Sequence, residues 1–240
     1  MNPESVPGEY KNLQKLAESP LEIEDWGLIE YEQALAKQIE TLNEVSLRSK
    51  NDPSYFGKII FCTHPPVVTK GRVTQPEDIF SWQGPVVEIQ RGGRATYHGP
   101  SQVVVYPIID ISKPRKSRNV NEIHGFLRDF EKAIIDTLSD FGIEAEGKSL
   151  HKKMNAEFGT EETGVWVGTQ KVASLGLGIK KWITYHGAAV NLDFDPNAFT
   201  GINPCGFRTT TMTSIEQNLG KSLDRKLFCD QLQKNLSYYL

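Results

Sequence analysis

The stretch from Lys171 to Cys205 constrains this chain most. Lys171-Val-Ala-Ser-Leu-Gly-Leu-Gly-Ile-Lys-Lys-Trp-Ile-Thr-Tyr-His-Gly-Ala-Ala-Val-Asn-Leu192 reads as three short strands, and Asp193 to Asn203 as an irregular loop. That loop presents Cys205 between Pro204 and Gly206. Pro204 fixes its own φ and restricts Asn203, while Gly206 admits backbone angles closed to other residues. A thiol bracketed this way, in a rigid loop carried by strands, is a nucleophile candidate, because reactive groups favour loops positioned by a scaffold.

An unperturbed thiol has a pKa near ~8.5 and is only slightly ionised at neutral pH. A neighbouring ammonium, a histidine or a helix N-terminus lowers that value. The next helix start after Cys205 is at Thr213, so the candidates are His186, Lys171, Lys180 and Lys181. Lys180 and Lys181 stand beside a strand end and read as solvated. Lys171 opens an apolar run (Val172, Ala173, Leu175) that draws its stem inward. Plainer readings stand beside these: an edge-strand charge for Lys171 and a buried small hydrophobe for Cys205.

The flanking chain supplies a frame. A helix is expected from Trp26, with Ile29, Leu35, Ile39, Leu42 and Val45 at helical spacing, ending before Asn51-Asp52-Pro53. A second runs from Asn119 or Asn121 to Phe141, where Val120, Ile123, Phe126, Phe130, Ile134, Leu138 and Phe141 form one stripe that Gly142 stops. Thr213-Ser-Ile-Glu216 fits a capping box. Ser222 starts a final helix to Tyr239 with Leu223, Leu227, Leu232, Leu236 and Tyr239 inward, and Cys229 on it is structural. Strand runs fall at Lys58–His64, Val67–Thr69, Val86–Gln90, Gln102–Ile111, Ile143–Glu146 and Gly164–Gly168, the last turning through Thr169-Gln170 to deliver Lys171. Cys62 alternates into its strand as inert core. Residues 113–118 form a basic loop, and 147–163 a polar, poorly patterned one. The expected architecture is α/β of the α+β type, one domain with a mixed, mainly antiparallel sheet flanked by helices. Residues 1–20 read as an extension and 21–240 as the domain.

At 240 residues and 38% hydrophobic, the chain can bury one sizeable core. A net charge of -3 argues against non-specific binding to nucleic acid or membranes. Three widely spaced cysteines without a Cys-x-x-Cys support neither a disulfide framework nor a structural zinc site. The longest apolar stretch, Val103–Ile111, is too short to span a bilayer, and no leader pattern opens the sequence. A soluble cytoplasmic protein is expected.

Arg91-Gly92-Gly93-Arg94 follows a strand, and paired glycines let backbone approach a ligand closely. The spacing of a phosphate loop or dinucleotide fingerprint is absent. Arg91 and Arg94 suit an anionic partner such as a phosphopantetheine arm on an acidic carrier protein, although the local sequence alone reads more simply as a glycine hairpin with solvated arginines. Thr-Tyr-His-Gly occurs twice, at Thr96–Gly99 and Thr184–Gly187. No carboxylate lies at ligand spacing, so His98 and His186 read as cleft hydrogen-bonders and not as metal ligands. His64, before two prolines, reads as a structural hydrogen-bonder.

Arg91-Gly-Gly-Arg-Ala-Thr-Tyr-His-Gly-Pro100, Lys171-Val-Ala-Ser-Leu-Gly176, Thr184-Tyr-His-Gly-Ala-Ala-Val-Asn191 and Asn203-Pro-Cys-Gly206 occur in that order. Together they closely resemble the lipoyl(octanoyl) transferase family of the biotin/lipoate protein ligase-like superfamily, over roughly residues 26–220. The resemblance implies the biotin/lipoate ligase-like fold. It also implies transfer of octanoyl from octanoyl-acyl carrier protein to a lysine of lipoyl domains, in 2-oxoacid dehydrogenase complexes and in the glycine cleavage H protein. This is the first step of endogenous lipoate synthesis, with no cofactor and no metal. By the same resemblance Cys205 carries the acyl group as a thioester, and Lys171 lowers its pKa and moves protons. Substrate contacts then map onto Arg91, Gly92, Gly93, Arg94, Ala95, Thr96, Tyr97 and His98, onto Ser174, Leu175 and Gly176, and onto Gly187, Ala188 and Ala189. Oxyanion donors are expected among the backbone N–H groups of Leu175-Gly176 or Cys205-Gly206. Tyr97, Leu175, Ala188 and Ala189 are expected to line the slot for the tail. Lys70 and Ser101 depart from the family pattern. An ATP-dependent lipoate or biotin ligase, which needs no Cys205, and a non-catalytic carrier-binding protein of the same fold are the competing readings.

Overall fold

The computed structural model describes residues 21–114, 119–148 and 163–240. The extension (1–20), positions 115–118 of the basic loop and positions 149–162 of the polar loop lie outside the described residues. Among the described residues, ten strands form two sheets. β1 (Leu21–Leu28), β2 (Gly57–Thr63), β6 (Gln102–Ile109), β7 (Glu146–Gly147), β8 (Gly164–Val167), β9 (Gln170–Lys180) and β10 (Ile183–Asn191) build the larger, in the order β1-β2-β6-β10-β9-β8-β7. Only β1 and β2 run parallel in it. β3 (Val67–Lys70), β4 (Val86–Glu88) and β5 (Thr96–His98) form a small sheet, ordered β4-β3-β5. The mixed, mainly antiparallel α/β architecture is the one the sequence predicts.

Every residue of β6 is buried, and its side chains alternate between two cores. Val103, Val105 and Ile109 face a core shared with α2 (Ile123–Asp140) and α4 (Arg225–Tyr239). Val104, Tyr106 and Ile108 face a second core beneath α1 (Tyr31–Asn51), which contributes Ala34, Leu42 and Val45. On α2 the expected stripe buries Phe126, Phe130, Ile134 and Leu138 completely. At about 1.5–3 kcal/mol for each such side chain, this stripe is a main support of the fold. Val120 and Ile123, at its N-terminal end, are exposed.

Several boundaries differ from the sequence reading. The helix expected from Trp26 begins at Tyr31, because Leu21–Leu28 is a strand. Glu22 and Glu24, two residues apart, both reach the ammonium of Lys58 on β2, and Gly27 takes a positive φ unsuited to a helix. The three strands expected after Lys171 are two. β9 and β10 pair from Ala173↔Val190 to Lys180↔Ile183 across a two-residue turn. Lys181 and Trp182 make that turn with φ of 55° and 62°, values usually taken by Asn or Gly. The expected strand at Val86–Gln90 shrinks to Val86–Glu88, and the one at Ile143–Glu146 is replaced by the two-residue Glu146–Gly147.

The capping box falls on Ser214 and Gln217, ahead of α3 (Ile215–Leu219), while Glu216 accepts from the Phe194 N–H. The last helix starts after Asp224, whose carboxylate accepts from the Leu227 N–H at 2.8 Å. Its inward side is Phe228, Leu232, Leu236 and the following Leu240, and Leu227 is exposed.

Candidate active site

Cys205 stands in the tight turn Pro204–Gly206 with φ 54° and ψ 22°, a left-handed conformation uncommon for a non-glycine residue. Its N–H donates to Ala95 O at 2.8 Å, and the Gly206 N–H donates to Asn203 O at 3.0 Å. The Cys205 Sγ lies 3.9 Å from Ser174 Oγ. The thiol is buried and faces a cavity, which is a different state from a cysteine packed on all sides.

Lys171 is completely buried. It is not an edge charge, because β9 lies between β8 and β10. Trp166 pairs with Lys171 but Val165 pairs with Ala173, so Val172 is an extra residue, a bulge that re-aims the side chains around it. The Lys171 Nζ lies 5.7 Å from the Trp166 ring centre and 5.9 Å from that of Phe207. The two rings meet edge-on at 5.3 Å. Phe207 follows Cys205 by two residues, and Ser174 follows Lys171 by three. Two contacts thus tie the strand carrying the amine to the turn carrying the thiol.

The cavity, about 30 Å³, lies on the α1 side of the larger sheet and is closed by the small sheet. Arg91, Thr96, His98, Ser174, Leu175, Gly176, Gly187, Ala188 and Ala189 line it together with Cys205. Tyr31, Tyr106 and His186 complete the wall. Tyr31 and Tyr106 sit inside runs that read as packing, and no local signal separates them from core residues.

Five of the sequence-derived contacts lie outside that wall. Gly92 donates its N–H to Leu177 O at 3.4 Å, and Gly93 O accepts from the Val73 N–H at 3.3 Å. Arg94 bonds Asp78, and Ala95 supplies the carbonyl to Cys205. Tyr97 does not line the slot expected of it. Side chains alternate along β5, so Thr96 and His98 face the cavity while Tyr97 packs on Trp82 and Phe199 at 5.7 and 5.3 Å. Lys70, one of the departures from the family pattern, pairs with Glu88 at the surface.

Burial holds the histidines neutral. It pushes His186 down to about 3 and His98 well below the ordinary value, with the Arg91 charge adding to both. His186 is therefore no cationic partner for a thiolate, which removes it from the activating candidates. His64 Nδ1 donates to Ile29 O at 2.7 Å, which leaves Nε2 to accept from the Tyr106 hydroxyl at 2.7 Å. The Arg91 guanidinium donates to Thr69 O, Thr69 Oγ1 and Gly92 O, all neutral. Burial raises the pKa of Cys62, and that of Cys229 to about 11, and neither lines the cavity.

The Cys205 and Gly206 N–H groups are already engaged, by Ala95 O and Asn203 O. Leu177 O accepts from the Gly92 N–H outside the β9–β10 ladder. By two-residue alternation Leu175 directs its N–H to the same side, beside the cavity it lines. Among the described residues no group of three or more His, Cys, Asp or Glu is arranged to hold a metal, and no helix is long and apolar enough to cross a membrane.

Residues 30–237 match the lipoyl protein ligase A/B catalytic domain family. The chain is 49% identical over 214 residues to an octanoyltransferase of Bdellovibrio bacteriovorus, covering 89% of this chain and 95% of that protein. It is 32% identical to the octanoyltransferase of Anaplasma phagocytophilum, over 87% of this chain and 92% of the relative. Among solved structures, lipoate-protein ligase A bound with ATP superimposes with a TM-score of 0.64 at 14% identity, covering 90% of this chain and 84% of that one. A bipartite lipoate protein ligase from Thermoplasma acidophilum, solved in a study of that ligase and its E2 lipoyl domain, gives 0.54 at 14% identity, over 90% and 80%.

Proposed function

The chain belongs to the lipoyl protein ligase A/B catalytic domain family, and on that footing we propose that it is an acyltransferase moving an octanoyl group onto a lysine of lipoyl domains. The donor is octanoyl-acyl carrier protein, and the acceptors are lipoyl domains of 2-oxoacid dehydrogenase complexes and the glycine cleavage H protein. Three free cysteines fit the reducing cytoplasm in which we locate the reaction.

Cys205 thiolate attacks the thioester carbonyl carbon, the carbon–sulfur bond to the carrier breaks, and the Lys171 ammonium protonates the departing carrier thiolate. One thioester replaces another, so this step is near balance. The ε-amine of the acceptor lysine then attacks acyl-Cys205. Lys171, now neutral, takes the amine's proton, and Cys205 leaves as thiolate beside a restored ammonium. Amide formation from a thioester runs downhill, so no nucleotide is consumed. The Leu175 N–H stabilises the oxyanion of each tetrahedral intermediate. Ala189 and the backbone of Gly176 and Gly187 take the tail on the α1 side, bordered by Arg91, Thr96 and His98, because the Leu175 and Ala188 side chains, expected in the slot, turn into the core shared with α2 and α4.

The observation that carries this reading is the single cavity shared by Cys205, Ser174–Gly176 and Gly187–Ala189, with the buried Lys171 on the same strand as Ser174. Mixing the protein with octanoyl-acyl carrier protein and an unmodified lipoyl domain, without ATP, tests it. The expected product is octanoylated lipoyl domain. Product formed only from free octanoate plus ATP would assign the chain to the ligases instead.

A further inference from the structure

Resting on the reading of Cys205 as the acyl carrier, we propose that the buried Asp78–Arg94 ion pair is the positioning device for the Cys205 turn. Asp78 closes the short turn Pro76–Asp78 and is fully buried, and Arg94 is nearly so. The Asp78 Oδ2 accepts from Arg94 Nε at 2.9 Å and Oδ1 accepts from Arg94 Nη2. Two parallel charge-assisted bonds fix the plane of the guanidinium.

Both partners grip the nucleophile loop. Asp78 O accepts from the Asn203 N–H at 2.8 Å, and Glu77 O accepts from Asn203 Nδ2 at 2.8 Å. Ile79 bridges Ile202 in antiparallel fashion. On the other side, the guanidinium lies flat against Gly206, where φ is +81° and an added Cβ would fall 2.6 Å from Arg94 Nη1. Ala95, the residue after Arg94, holds the Cys205 N–H. A left-handed cysteine persists only where its surroundings over-determine it, and these contacts enclose the turn from both ends. Neither Asp78 nor Arg94 lines the cavity, so the pair acts through Cys205 and not on substrate.

The test uses the full chain with the double substitution Asp78→Asn and Arg94→Met, which removes both charges and so avoids stranding one of them. The expected result is a melting temperature near that of the wild type. Iodoacetamide then labels Cys205 slower by about tenfold or more, as expected for a misplaced reacting atom. The pH midpoint of labelling shifts upward, and kcat falls while KM for the acyl donor holds. Labelling of Cys62 and Cys229 serves as the internal control. If Cys205 labels within about twofold of wild type across the pH range, the pair merely supports the fold and the proposal is overturned. Gly206→Ala covers the case in which the double variant fails to fold. It keeps the ion pair but displaces the guanidinium, and a wild-type Cys205 rate in it overturns the proposal equally. Transfer activity retained by Cys205→Ser would defeat the nucleophile reading itself while leaving the labelling comparison valid.

Discussion

Three buried histidines, His64, His98 and His186, carry a cost that appears only in acid. Each has a folded-state pKa below its unfolded value, chiefly through burial. Below about pH 6.5 the unfolded chain binds protons that the folded chain refuses, so stability is full above that pH and falls beneath it. The slope approaches about 1.4 kcal/mol per pH unit for each histidine, and for His186 the loss continues to about 3. Melting temperatures taken between pH 7 and 5 should fall steadily, and less steeply in His186→Gln; a flat profile would contradict neutral burial. Lys171 supplies the second residue-scale prediction. Lys171→Met should move the pH midpoint of Cys205 alkylation upward, measured with iodoacetamide. An unchanged midpoint would mean that the ammonium does not act on the sulfur. Arg91, Thr96, His98, Ser174–Gly176 and Gly187–Ala189, which the structure gathers with Cys205 around one cavity, were legible as residues. The left-handed φ of Cys205 and the inward turn of Tyr31 and Tyr106 were not, because each depends on contacts from elements distant in sequence.

Among the elements, β9 and β10 do most to position the site. The Val172 bulge lets Lys171 and Val172 both be buried in succession, which a regular strand with one polar face does not allow. Gly187 lets β10 approach β6, since a Cβ there would fall 1.9 Å from Val105 O. Gly187→Ala should therefore separate the two central strands, costing several kcal/mol in denaturant titration, as overpacked cores do (about 1–3 or more). A variant as stable as wild type would show that the strands can part cheaply. Trp166→Leu removes one aromatic face from the buried ammonium and should lower kcat at neutral pH, with Trp166→Phe restoring part of it. Equal loss in both variants would point to packing alone. The long amphipathic helices were readable because one face of each is apolar at a fixed period. The β9–β10 turn was hidden, since Lys181 and Trp182 adopt positive φ without a glycine or asparagine to announce it. The strand at Leu21–Leu28 was hidden too, because its alternation is short: Leu21 and Ile23 turn to the core and Glu22 and Glu24 to Lys58, but Asp25, Trp26 and Gly27 do not continue the pattern.

At the scale of the molecule, a seven-stranded sheet, a three-stranded sheet and α1 enclose the cavity, and the apo cavity is small. Its volume of about 30 Å³ admits roughly two water molecules. On the proposed reading, an eight-carbon chain carried on Cys205 must either extend out of this volume or displace its walls. Hydrogen exchange should change on acylation within Arg91–His98, which closes the cavity, and remain constant in the fully buried β6. The fold class followed from alternating strand and helix runs, whereas the size of the cavity arises where α1, β5, β6, β9, β10, the Arg91 loop and the Cys205 turn converge, and it has no local trace. Intact-mass analysis after mixing the protein with octanoyl-acyl carrier protein, without ATP, tests the central claim most directly. The account predicts one octanoyl group per chain, mapped to Cys205, released as thioesters are by hydroxylamine and absent in Cys205→Ser; an unmodified chain that still octanoylates a lipoyl domain would contradict it.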